Sequence, residues 1–113
     1  MGADTYERSV NQYFHLYSHT YSTDRVSLGK IYDGKHRIRD GYIIVIEQIG
    51  WDKDFMIVKQ RSGKYYIQDL KKLQGKDADD FSKYLYGPLT KEEFNFKKDS
   101  LKLSDDLEFD ISY

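Results

Sequence analysis

GYIIVIEQIGWDKDFMIVKQRSGKYYIQDL, residues 41–70, holds three apolar runs separated by turn residues. The first covers 42–49, the second 54–60 and the third 64–70. Runs of this length, rich in β-branched and aromatic residues, read as strands. Gly50-Trp51-Asp52-Lys53-Asp54 supplies one connection and Gln60-Arg61-Ser62-Gly63-Lys64 the other. Gly, Asp and Ser-Gly are turn chemistry. Connections so short join antiparallel neighbours, because a parallel crossover needs a dozen or more residues. The stretch therefore predicts a three-stranded meander. Its first strand is apolar on both faces, Ile44 and Ile46 against Ile43, Val45 and Ile49, which predicts a central, doubly covered strand. Ile44 and Ile46 are expected to be buried. The third strand alternates and is expected to be half exposed.

Upstream, residues 1–11 are polar and predict a frayed end or a short helical turn. Residues 13–19 alternate as a strand, with Phe14 and Leu16 opposite Tyr13, His15, Tyr17 and His19. Ser22-Thr23-Asp24 is a turn, and residues 25–32 predict another strand, with a bulge at Gly29 where the apolar side changes. Downstream, residues 71–86 are irregular, either a short helix over 77–84 or a long loop. Tyr86-Gly87-Pro88-Leu89 reads as a turn. Thr90-Lys91-Glu92-Glu93 has the form of a capping box, in which the Thr hydroxyl and the Glu carboxylate each satisfy a backbone amide of the other. It predicts a helix over 91–101, with Phe94 and Leu101 on the face that covers the sheet. Leu107, Phe109, Ile111 and Tyr113 then alternate with polar residues as a last strand. The expected fold is α+β: a single domain over 1–113, with an antiparallel sheet of about five or six strands and one C-terminal helix packed on it.

Composition narrows the chemistry. The 113 residues carry 18 basic and 19 acidic side chains, a net charge of −1. No global basic field is present to hold a nucleic-acid backbone. Cysteine is absent, which excludes disulfides, thiol catalysis and Cys-ligated metals. No apolar run approaches the ~18 residues of a membrane span. No secretory leader is visible, and Tyr6 breaks the myristoylation pattern.

Four groups of words, Ile49-Gly50-Trp51-Asp52, Phe55-Met56-Ile57-Val58-Lys59-Gln60, Tyr65-Tyr66-Ile67-Gln68-Asp69 and Tyr86-Gly87-Pro88-Leu89-Thr90-Lys91-Glu92-Glu93-Phe94, resemble a group of small bacterial proteins of unknown function. Many of that group are predicted lipoproteins of the cell envelope. The resemblance covers about residues 41–109 and brings no catalytic residues with it. It implies an extracytoplasmic location, with membrane contact only through a lipid anchor.

Candidate chemistry is sparse. His15 and His19 share a strand face but lack a third ligand at motif spacing; the default is a wet strand face. Lys35-His36-Arg37-Ile38-Arg39 is a basic cluster, read first as a solvated turn. Asp77, Asp79 and Asp80 lack the spacing of a calcium loop. There is no phosphate-binding glycine loop, catalytic triad order or nucleophile elbow. No cofactor and no metal site are expected. Eleven tyrosines and one tryptophan suit a recognition surface, where a rigid ring carries a polar tip. The binding candidates are Trp51, Tyr65, Tyr13 and Tyr17. The leading reading is a non-catalytic binding module of the envelope whose partner is a protein or envelope component. Its rivals are a cytoplasmic partner-binding protein, such as a toxin-immunity protein, and a small hydrolase using a surface carboxylate.

Overall fold

Residues 6–19 and 23–113 are described by the computed structural model. In chain order they form β1 (Tyr6–Ser9), β2 (Phe14–Ser18), β3 (Ser27–Tyr32), β4 (His36–Arg37), β5 (Ile46–Trp51), β6 (Phe55–Gln60), β7 (Tyr65–Asp69), β8 (Leu85–Leu89), α1 (Lys91–Leu101) and β9 (Ile111–Ser112). Short 3-10 turns cover Thr23–Arg25, Lys71–Leu73 and Ala78–Tyr84. The α+β class with an antiparallel sheet and a C-terminal helix holds. The strands, however, divide into two sheets, ordered β1-β2-β3-β4 and β8-β7-β6-β5-β9.

The meander forms as the turn chemistry requires. Asp52 Oδ1 accepts the amides of Asp54 and Phe55, both at 2.8 Å, closing the first connection. Gly63, at φ +93°, closes the second by donating to the Gln60 carbonyl. The alternation of β6 then serves two cores. Met56 and Val58 face the first sheet, meeting Phe14, Leu16, Val26 and Leu28, while Phe55 and Ile57 face the helix with Tyr65, Ile67 and Phe94. The layers are thus sheet, sheet and helix, with the second sheet in the middle. This covers β7 on both sides, so Tyr65, Ile67, Gln68 and Asp69 are buried, where a half-exposed strand was expected.

The first strand of the meander departs most from expectation. It begins at Ile46, not at Tyr42. Val45 has φ +49°, outside any strand. Residue 43 instead bridges to Leu28 of β3, so this segment carries the chain from one sheet to the other. A bulge between Ile46 and Gln48 then shifts the phase of β5. Ile43, Ile46 and Ile49, which strict alternation divides between two faces, all reach the inter-sheet core. Ile44 is left 55% exposed, contrary to its expected burial.

Other differences have the same origin in long-range pairing. Tyr6–Ser9 is a strand, because β2 pairs with it along its whole length, and an Asn11 carboxamide accepting the amides of Tyr13 and Phe14 turns the chain between them. Residues 1–5 and Ser22 of the expected turn lie outside the described residues. Gly29 marks no bulge; the β2–β3 register is unbroken through it. A Cβ there would meet the Ile38 carbonyl oxygen at 2.2 Å, so the glycine serves close approach. Residues 85–89 are an edge strand and not a turn, with Pro88 where its missing N–H costs no ladder bond. The alternation over 107–113 is not one strand face. Leu107 and Phe109 pack on the helix side, Ile111 and Tyr113 on the inter-sheet side, and only Ile111–Ser112 is strand. Over this crossing the backbone passes against β5. A Cβ on Gly50 would lie 1.7 Å from the Glu108 carbonyl oxygen, which explains a glycine inside a buried strand.

The helix start is as the capping box predicts. Thr90 N donates to Glu93 Oε1 at 2.8 Å and Glu93 N donates to Thr90 Oγ1 at 3.2 Å. The bond from the Thr90 amide, with the Thr90 hydroxyl, holds the Glu93 carboxyl below its ordinary value. Thr90→Ala is expected to lower stability by roughly 0.5–2 kcal/mol in denaturant melts. An unchanged midpoint would show that the cap is redundant.

Candidate functional site

Three turns meet at one end of the sandwich and leave a groove between them. One part, of about 500 Å³, lies between the β1–β2 turn, the β5–β6 turn and the start of the 71–84 segment, with Tyr13, Trp51 and Lys71 in its walls. A second part, of about 290 Å³, continues past Tyr13 to Tyr32, Leu73 and Phe81. The two share Gln12, Tyr13 and Gln74. The aromatic walls are held from behind. Tyr13 stands edge-on to Phe81, ring centroids 5.6 Å apart, and Phe81 is itself buried against Phe14. Trp51 ends β5 opposite Met56 and packs on the inter-sheet core. It is therefore in a strand end and not in the turn where the sequence placed it.

The far wall is fixed by a buried polar network. Tyr42 donates its hydroxyl to Gln68 Oε1 at 2.6 Å, and Gln68 Nε2 donates to the carbonyls of Phe81 and Tyr84 at 3.1 and 3.3 Å. Burial pushes the Tyr42 hydroxyl well above the usual tyrosine range, so it stays a donor. A satisfied network of this kind fixes one arrangement of the segment it ties down. Here that segment is Ala78–Tyr84, which the sequence left as helix or loop and which is 3-10 helix with Ala78 and Phe81 turned inward.

Of the four sequence-chosen binding residues, the groove unites Tyr13 and Trp51. Tyr65 lies elsewhere, 8% exposed under the helix, its ring stacked on Phe94 at 4.7 Å. Tyr17 is buried on the outer face of the first sheet, where burial raises its hydroxyl. Tyr32, Gln12 and Gln74 were not singled out from sequence. The Asp33-Gly34 turn after Tyr32 was the one signal, since it places that ring at a strand end.

The histidine pair expected on a wet face is split. His15 is fully buried and His19 exposed, with the Tyr17 ring 5.4 Å from each. Of the basic cluster, Arg37 and Arg39 both contact the Glu7 carboxylate. Asp80 pairs with Lys83 at 2.9 Å. Among the described residues no three His, Cys, Asp or Glu side chains converge as metal ligands. Among them also, no helix is long and apolar enough to cross a membrane.

Comparison with known proteins finds no matching protein family, no matching curated protein and no matching solved structure.

Proposed function

We propose that this protein is a non-catalytic recognition module that seats a protein or envelope component in the end groove. The observation that carries the reading is the meeting of Tyr13, from the β1–β2 turn of the first sheet, and Trp51, from the end of β5 in the second, in one rigidly backed groove. Aromatic side chains with fixed backing give large contact area at little entropic cost, which is why they dominate binding energy. The Gln12 and Gln74 amides beside them offer donors and acceptors for orientation. Among the described residues the groove is bordered by Asp33, Asp52, Asp54 and Asp77 and by no histidine, serine or threonine; Asp52 commits one carboxylate oxygen to its own turn. The envelope location rests on the resemblance over residues 41–109 alone.

The test removes one groove ring at a time. Partners captured by the wild-type chain and identified by mass spectrometry are titrated against the wild type and each variant by isothermal calorimetry. Tyr32→Ala, at an exposed ring, and Trp51→Phe, which keeps an aromatic ring against the inter-sheet core, are expected to weaken binding by about 2 kcal/mol, near thirtyfold, with both variants still folded in melting curves. A partner that binds both variants as tightly as the wild type would overturn the proposal.

A further inference from the structure

The two parts of the end groove form one trough, with aromatic rings set along it. Trp51 lines the larger part, Tyr32 the smaller, and Tyr13 both. The rings on offer are the amphipathic ones. Tyr32 is exposed, and Tyr13 and Trp51 are half-buried, packed against the inter-sheet core. The purely apolar groups of the lining, Leu73, Ala78 and Phe81, are closed off, none more than 4% exposed. The trough thus offers stacking surfaces with polar tips and little aliphatic surface. Its walls are turns and strand ends, not a length of sheet edge that would pair with a peptide backbone.

Between the rings stand groups that both donate and accept. Gln12 and Gln74, both exposed, border the two parts alike, and a carboxamide offers two donors beside an acceptor. Carboxylates flank them. Asp77 holds the N-cap position ahead of Ala78–Tyr84, where a carboxylate ordinarily takes a backbone amide. Its side chain makes no such bond and lines the trough instead, as Asp33 does. Formal charge nearly cancels along the trough. In the larger part Asp52 and Asp54 stand with Lys53 and Lys71, and in the smaller Asp33 and Asp77 stand with Lys76. Asp52 Oδ1 is already engaged in its turn, and Lys71 Nζ lies over the Phe55 ring, 4.9 Å from its centroid. A phosphorylated or sulfated ligand would meet the carboxylates, and a strongly basic one the ammonium groups, so the balance favours an uncharged ligand.

We propose that the groove binds a neutral oligosaccharide; this rests on the reading of the groove as a recognition site and names its ligand class. A sugar ring has an apolar C–H face, which stacks on an aromatic ring, and a rim of hydroxyls that each donate and accept. Trp51, Tyr13 and Tyr32 supply the stacking surfaces. Gln12 and Gln74 give to and take from neighbouring hydroxyls, and Asp33 and Asp77 accept from them. The rings are spread over both parts of the trough, which meet at Tyr13, so a chain of sugar units and not a single one covers them.

Nuclear magnetic resonance titrations of the ¹⁵N-labelled chain test this. The probes are a panel of neutral oligosaccharides, gluco-, galacto- and manno-configured, α- and β-linked, with and without N-acetyl groups. Tetralysine and a heparin oligosaccharide are the charged comparisons. At least one neutral sugar is expected to shift the amides of residues 11–13, 32–34, 51–54 and 74–78 and the Trp51 indole N–H, while those of α1 stay unmoved. Its affinity is expected to change by less than about twofold between about 50 and about 500 mM NaCl, because no ion pair is there to be screened. Tyr32→Ala and Gln74→Ala, both at exposed residues, are expected to weaken it about tenfold each. A panel in which no sugar moves the groove amides would overturn the proposal, as would shifts confined to another face. Tetralysine or heparin moving those amides when no neutral sugar does would also overturn it, yet leave the groove a recognition site. If no probe moves them, and a captured partner binds Tyr32→Ala and Trp51→Phe as tightly as the wild type, the groove is no recognition site either. The wild-type shifts decide even where a variant does not fold.

Discussion

Ile46→Ala is expected to lower stability by about 2–5 kcal/mol, the cost of removing a fully buried aliphatic side chain and leaving a cavity. Ile46 has no exposed surface and sits among Phe14, Val26, Met56 and Val58. It is also where the two sheets are joined, since its amide donates to the Val26 carbonyl at 2.7 Å. Both sheets therefore close around this side chain, and neither can collapse alone into the space it vacates. The control is two residues away. Ile44→Ala, at a residue 55% exposed, is expected to change stability by no more than about 0.5 kcal/mol. Urea melts of the two variants check both values. Equal costs would mean that the break in alternation at Val45, which separates the two side chains, is wrong.

Phe94→Ala is the other large effect, about 3–5 kcal/mol. Phe94 is the one fully turned-in aromatic of α1, stacked on Tyr65 at 4.7 Å and beside Phe109 at 5.9 Å. The truncation therefore removes a buried ring and also leaves Tyr65 and Phe109 without their common partner. Phe96, two residues on and 73% exposed, is the internal comparison; Phe96→Ala is expected to stay within about 0.5 kcal/mol. Should Phe94→Ala cost less than about 1 kcal/mol, the helix would not be a lid on the second sheet.

The helix and the meander were legible from the sequence because their signals are local. A capping box needs only residues 90–93, and the connection at 60–64 needs only its own glycine and the runs beside it. The groove was half legible. Tyr13 and Trp51 stood out as aromatic residues near turns, but nothing in the spacing of residues 13 and 51 says that they meet. Tyr65 was misplaced for the same reason, because an aromatic on a strand suits a recognition face and a helix-covered face equally.

Residue types alone thus determined an antiparallel α+β chain with one capped helix, no cysteine chemistry and a nearly balanced charge. Only the tertiary structure decided which residues face which layer. A one-residue bulge reverses the facing of everything beyond it, because side chains alternate with period two; that is why Ile46 and Ile49 share a core, while the left-handed Val45 breaks the alternation before them and leaves Ile43 in that core and Ile44 outside it. Gly29 and Gly50 read from sequence as a bulge and a turn, whereas each admits a backbone from a distant segment. His15 read as a wet residue, whereas the fold buries its ring between Tyr17, Gly29 and the Ile38 carbonyl. In every case the deciding contact joins residues far apart in the chain, and such pairings are fixed by how the whole sheet closes and not by the sequence near either partner.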